Sequence, residues 1–327
     1  MHRRFPRADA PAATFNSMPP KAIPPARDRL QSRLLVWIVT FAFCCLAYLA
    51  RTYLIEQAHL TRAYLLKVLL ISVAFAYAAW RLRAATPRAA ILGGVTCLFI
   101  TTFSSIPDNI LPFHSGLTPL ILVFVLTFVA TRVGRARKAA AHLAEDHSGR
   151  NAAQVIANLG IAALIGSPLG LRVGGWFIDV GYASREGHIL FVALFSVPTL
   201  AALAEAAADT VSSEIGQAFG GAPFMLTTLR RVPPGTDGAV SLKGTLAGIA
   251  AAAIIAATGA PALGMSFAEC TVAFAAGVAG LFFDSLLGAS VERKGWIGND
   301  LVNFTSTAFA AAVALLAIRF GQGYLFR

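Results

Sequence analysis

Charge is what this sequence has least of. Asp, Glu, Lys and Arg together make up 13% of the residues, about half of what a soluble domain carries. That scarcity, with 57% hydrophobic residues and a mean hydropathy of +0.67, excludes a water-soluble globular enzyme. Cysteine is also sparse. Cys44, Cys45, Cys97 and Cys270 all lie in apolar segments without ligand spacing, which excludes a thiolate metal centre and predicts buried small hydrophobes. Six scattered histidines form no cluster. There is no Gly-x-x-x-x-Gly-Lys-Ser/Thr loop, no Gly-x-Gly-x-x-Gly turn and no Gly-x-Ser-x-Gly elbow.

What is present is a succession of long apolar runs without a period of two. In lipid every backbone polar group must be paired within the protein, so these runs are read as helices. The expected fold is all-α: a polytopic transmembrane helical bundle of about nine spans, ~20 residues being enough to cross. The runs fall at 34–50, 63–80, 89–106, 117–133, 152–166, 189–204, 242–258, 267–287 and 302–318. Residues 1–33, rich in Arg, Pro and Ala, are expected to form a disordered basic arm, with 34–327 a single membrane domain.

The net charge of +11 would suggest nucleic acid in a soluble protein. Here the basic residues cluster between apolar runs, and no aromatic-basic interleaving of the kind that stacks bases occurs, so no nucleic-acid partner is expected. Alternating the spans puts the arm, Arg81/Arg83/Arg88, Arg132–Arg150, Arg230/Arg231 and Arg293/Lys294 on one side. Segments 107–116 and 168–187 fall on the other. The excess of Lys and Arg predicts that the first side is cytoplasmic and the chain integral to an inner membrane.

Against this background a few polar groups stand out. Asp209, in the stretch DTVSSEIG (209–216), lies one helical turn from Glu205 and from Ser213, with Glu214 on the neighbouring stripe. Oxygen-rich stripes at the mouth of a span suit Mg²⁺, which takes carboxylates together with phosphate and water. Glu205 and Glu214 could equally be solvated residues of a helix end. Asp284 follows Gly277 and Gly280 and precedes Gly288 on one helical face, with Ser285 beside it. Small residues let helices approach and leave a cleft around the acid, and a lone intramembrane acid is a functional hypothesis by default.

Between these acids lies RRVPPGTDGAVS (230–241). Its Pro-Gly and Asp-Gly pairs mark turns, and successive N–H groups at Thr236, Asp237 and Gly238 could cradle an anion. A helix starting near Ser241 would aim its positive end there, and Arg230, Arg231 and Lys243 would add charge. Asn299 is expected to be an ordinary N-cap, with Asn303 one turn deeper and in need of a partner. Gln154 and Asn158, at i and i+4, could join helices or touch a ligand.

These segments together resemble the transmembrane protein 19 / phytyl-phosphate kinase family, catalogued as domain of unknown function 92. The matching pieces are GRNAAQVIAN (149–158), AADTVSSEIG (207–216), RVPPGTDGAVS (231–241), DSLLGA (284–289) and NDLVNF (299–304), over about 82–327. The sequence departs from the family's usual residues at Val211, Asp237, Ala239 and Glu292; Asp237 weakens the anion reading of its turn unless it faces metal.

The resemblance implies a nucleotide-dependent kinase, using CTP or another nucleoside triphosphate with Mg²⁺. Its substrate would be a membrane isoprenoid phosphate, converted to a diphosphate. Asp209, Asp284 and Glu214 would hold the metal. Arg230 and the turn at 236–238, with Arg231, Ser213, Ser241, Ser285 and Asn303, would bind the phosphates. Alternatives from the same parts are a cytidylyltransferase making a CDP-lipid and a proton-coupled lipid transporter or flippase. No oligomeric state is implied.

Overall fold

The computed structural model describes residues 23–56, 62–102, 114–141, 143, 149–167 and 185–321. The expected outer segments 107–116 and 168–187 fall largely outside these residues. The chain is a helical bundle, as the unbroken apolar runs require. Its helices are α1 (Pro25–Glu56), α2 (Arg62–Arg81), α3 (Pro87–Thr102), α4 (Leu117–Arg132), the short α5 (Arg135–Ala140), α6 (Ala152–Ile165), α7 (Arg185–Phe219), α8 (Leu242–Ala262), α9 (Phe267–Leu287) and α10 (Asn299–Phe320). Six of them contain stretches long and apolar enough to cross a bilayer; α3, α4 and α6 are shorter, at 14–16 residues. At 1.5 Å per residue these three span about 21–24 Å, less than the ~30 Å hydrocarbon core.

Two boundaries differ from expectation for physical reasons. Helix α1 begins at Pro25, so residues 25–33, expected in the arm, are helical. Proline's fixed φ and missing N–H suit a first helical turn. The run expected to end at residue 204 continues as α7 to Phe219, with Glu205 buried inside the bundle and Glu214 paired there with Lys138.

Helix α7 is the hub. Its 193–210 stretch is almost entirely buried, and α4, α6, α8, α9 and α10 pack around it. Alanines at 201, 202, 204 and 206–208 keep its surface low. Glycines on the partners then bring backbones together: a Cβ on Gly277 would lie 2.8 Å from that of Ala204, and one on Gly248 would lie 2.7 Å from the Ala208 carbonyl oxygen. Without a hydrophobic drive between helices in lipid, such close packing supplies the cohesion. The outer faces present Trp37, Phe41, Leu70, Val73, Ile91 and Leu316, as a surface in hydrocarbon requires. Cys44 and Cys45 lie on this face of α1, so only Cys97 of the four is fully buried.

At one end of the bundle the connections lock together. The segments before α3 and α6 bond to each other, Thr86 N to Arg150 O at 3.0 Å and Arg150 N to Ala84 O at 2.9 Å. Gln31 of α1 donates to the Trp296 carbonyl at 2.9 Å, and Ser32 to Asp300 at 2.6 Å. A two-stranded antiparallel ribbon, β1 (Phe224–Met225) with β2 (Ala239–Val240), fixes the α7–α8 connection. At its turn Gly238 has φ +70°, and a Cβ there would lie 1.9 Å from Ala289 N, so no other residue fits.

A Cβ on Gly280 would lie 2.5 Å from Glu205 Cγ and 2.9 Å from Ala310 Cβ. Gly280→Val therefore costs about 1–3 kcal/mol of overpacking. Thermal unfolding in detergent should show a clearly lowered midpoint; an unchanged midpoint would contradict this packing.

Candidate functional site

A polar cavity of about 270 Å³ opens among α6, α7, α9, α10 and the ribbon connection. Asp209 and Asp284 both line it. They reach it from different helices, α7 and α9, because Gly277 and Gly280 let those helices touch just below the acids. Their carboxyl groups adjoin, and Ser306 of α10 donates to Asp284 Oδ2 at 3.1 Å. Behind them Glu205 is 1% exposed, and its Oε1 has no hydrogen-bond partner among the described residues.

Two half-buried carboxyl groups this close favour sharing a proton or a cation. The donor set fits a small divalent ion, which needs only one or two carboxylates when phosphate oxygens and water complete its shell. Among the described residues no three His, Cys, Asp or Glu groups converge to hold an ion unaided. Any such ion therefore depends on its ligand.

Glu214 also borders the cavity, yet its carboxylate is taken. It pairs with Lys138 of α5, and the two side chains are 7% and 2% exposed. Lys138 donates further to the Thr131 carbonyl at 2.9 Å, at the end of α4. Glu214 is thus neither a solvated helix end nor a free metal ligand. Glu205 is not a solvated helix end either.

The cation facing the acids is Arg150. Its Nη2 donates to Thr210 Oγ1 at 3.1 Å, and its charge acts on Asp209 across the cavity. Arg230 and Arg231, expected to bind phosphate, are exposed and do not border the cavity. The tight turn between Met225 and Arg230, closed by Met225 N to Arg230 O at 2.9 Å, turns them away, and Arg231 lies over the Phe224 ring.

Thr236, Asp237, Gly238, Ser241, Ser213, Ser285 and Asn303 all line the cavity. Several of their polar groups are already engaged. Thr236 N bonds to Pro233 O and Ala239 N to Thr236 O, which leaves Asp237 and Gly238 as the turn's remaining donors toward an anion. Ser241 caps α8 by accepting from Gly244 N at 3.2 Å, while Ser213 and Ser285 donate to carbonyls on their own helices. Asp237 is open to solvent, but desolvation on its inner side raises its pKa and the Arg293 charge opposes the rise. The N-cap of α10 is Gly298, so Asn299 is the first helical residue and joins the cavity wall. Gln154 closes a capping box with Asn151, and Asn158 donates to the Gln154 carbonyl at 2.9 Å. Both border the cavity.

Arg150, Lys138 and Glu292 are the site residues that sequence reasoning missed or assigned to topology. Arg150 opens the 149–158 segment, and that position was the available signal. Glu292 ends a π-helical turn, Gly288–Glu292, a local irregularity common at functional sites.

The model of the integral membrane protein family DUF92 matches residues 70–311. The chain is 31% identical over 210 residues to Protein VTE6, chloroplastic, of Arabidopsis thaliana; the alignment covers 63% of this chain and 59% of that one. It is 32% identical over 204 residues to the uncharacterized membrane protein sll0875 of Synechocystis (61% and 72%). It is 33% identical over 217 residues to the uncharacterized membrane protein MJ0933 of Methanocaldococcus jannaschii (65% and 82%). No solved structure matches.

Lys138→Met strands Glu214 as an unpaired buried charge, a loss of about 3–5 kcal/mol. The double variant Lys138→Met/Glu214→Gln should recover most of that stability in thermal unfolding. Equal destabilisation by the single and double variants would show that the pair is not the reason.

Proposed function

Because the chain belongs to the DUF92 family of integral membrane proteins, we propose that it is a nucleotide-dependent kinase of a membrane isoprenoid phosphate. One observation carries the reading: an adjoining pair of half-buried acids and a facing arginine border one polar cavity at one end of a lipid-embedded bundle. The resemblance of the motifs to phytyl-phosphate kinases supplies the substrate class, and CTP is the preferred donor.

In this reading Asp209 and Asp284 would hold Mg²⁺, with Glu205 behind them, and the bound ion would supply charge neutralisation for the donor phosphates. Arg150 takes over the phosphate-binding part first assigned to Arg230, and the Asp237 and Gly238 amides face the same anions. Phosphoryl transfer asks a protein mainly for positioning and charge neutralisation. An oxygen of the acceptor phosphate attacks the terminal phosphorus, the bond to the bridging oxygen breaks, and CDP leaves. The acceptor is already ionised, so no general base is required, in keeping with a cavity that no histidine lines among the described residues. The surrounding connections carry Arg83, Arg135, Arg137, Arg150, Arg293 and Lys294, an excess of positive charge that supports a cytoplasmic position for the cavity, on the side where nucleotides are.

Full-length protein supplied with CTP, Mg²⁺ and a prenyl monophosphate should yield prenyl diphosphate and CDP. Asp284→Asn should lower turnover by about 10²–10³-fold, the usual effect of deleting one electrostatic group at the reacting centre. Pyrophosphate in place of CDP would identify a cytidylyltransferase. Absence of product with every nucleotide and prenyl phosphate tried would end the kinase reading.

A further inference from the structure

A second space of about 70 Å³ lies beside the polar cavity, between α2, α3, α4 and α6. Its walls are Phe75, Gly93, Leu120, Val123, Phe124 and Leu159 with a row of alanines, and its lining is overwhelmingly apolar. Phe75 and Phe124 meet edge to face across it, 5.5 Å between ring centres. Gly93 leaves it open: a Cβ there would already touch the Phe75 ring at 3.7 Å, so any longer side chain would occupy the space.

Two polar residues, Arg150 and Asn158, border both this space and the polar cavity. Asn158 is 5% exposed, and its Oδ1 has no partner among the described residues. Arg150 offers a guanidinium at the same junction. A ligand with a hydrocarbon tail and an anionic head would match both environments at once. The apolar space has about a quarter of the polar cavity's volume, so a single chain suits it better than a pair.

We propose that this groove is the tail site of a single-chain lipid monophosphate whose phosphate sits at Arg150, with Asn158 at the neck between head and tail. The assignment rests on the kinase reading for the identity of the lipid, but not for its place. Arg150 would anchor the head electrostatically, while the groove would favour single-chain over two-chain phospholipids. Asn158 Oδ1, an acceptor, would face a donor on the ligand or a water beside the head, since an ionised phosphate offers no proton.

The test is photolabelling of the full-length protein with a prenyl monophosphate carrying a diazirine near the chain end, followed by peptide mapping. Label is expected on Phe75, Phe124 or Leu159 and should be displaced by unlabelled prenyl monophosphate. A two-chain phosphatidic acid and inorganic phosphate at the same concentration should not displace it. Gly93→Leu should cut labelling at least tenfold while leaving nucleotide binding unchanged. Arg150→Gln should weaken capture of the phosphate probe about tenfold, equivalent to 1.4 kcal/mol, without changing capture of the corresponding uncharged alcohol. Label confined to other helices, or displaced equally by phosphatidic acid, would overturn the groove, and wild-type mapping decides this even if a variant fails to fold. Turnover measured in parallel separates the two ideas: label in the groove without turnover sinks only the kinase reading, and turnover with label elsewhere sinks only the groove.

Discussion

Two carboxyl groups that adjoin inside a membrane-embedded bundle are the constraint around which this molecule is arranged. Removing even one charge from water is expensive, and removing two of the same sign is tolerated only where the surroundings answer them. Here the answers come from several directions: the Ser306 hydroxyl, the Arg150 guanidinium across the cavity, and the cavity itself, which is open to solvent. Each requires a helix to be in a particular place. Helix α7 must sit at the centre to carry Asp209, and α9 must touch it closely enough to bring Asp284 alongside. The alanine surface of one and the glycines of the other make that approach possible.

Much of this was legible from the sequence, because lipid imposes simple rules. The run at 267–287 coincides with α9, and the one at 117–133 extends one residue past α4. Asp209 and Asp284 stood out because acids are rare among apolar residues, and the structure brings both to one cavity. Most of the failures share one cause. Reading charge along a chain assumes that a charged residue faces water, which ended α7 fifteen residues early and made Glu205 and Glu214 look like a solvated helix end. It also assigned Arg150 and Lys138 to a topology-setting loop, when one faces the acids and the other is buried against Glu214. Arg230 failed the opposite way: its neighbours suggested a phosphate turn, but a tight bend from Met225 points that segment outward. Pairing between residues 76 positions apart leaves no local pattern to read.

Among the described residues, the polar and apolar spaces share two side chains, Arg150 and Asn158. A charged head and a greasy tail need opposite surroundings within a few ångströms. The protein provides them by letting α6 border both, with Asn158 on the same helix that Arg150 immediately precedes. The rigid capping box at Asn151 fixes the start of that helix, and so holds both residues in register.

The bonds from Gln31 and Ser32 to residues 296 and 300 join the first helix to the last across more than 260 residues of chain. During synthesis, at about 5–20 residues per second, the polar side chains of α1 would wait roughly 13–50 seconds for those partners to be made. Helix α1 must therefore rest in the bilayer with these polar side chains still unpaired, and closure of the bundle waits for the start of α10 to be made. The same late closure completes the wall of the acid-lined chamber, which takes shape only once Asn299 and Asn303 arrive.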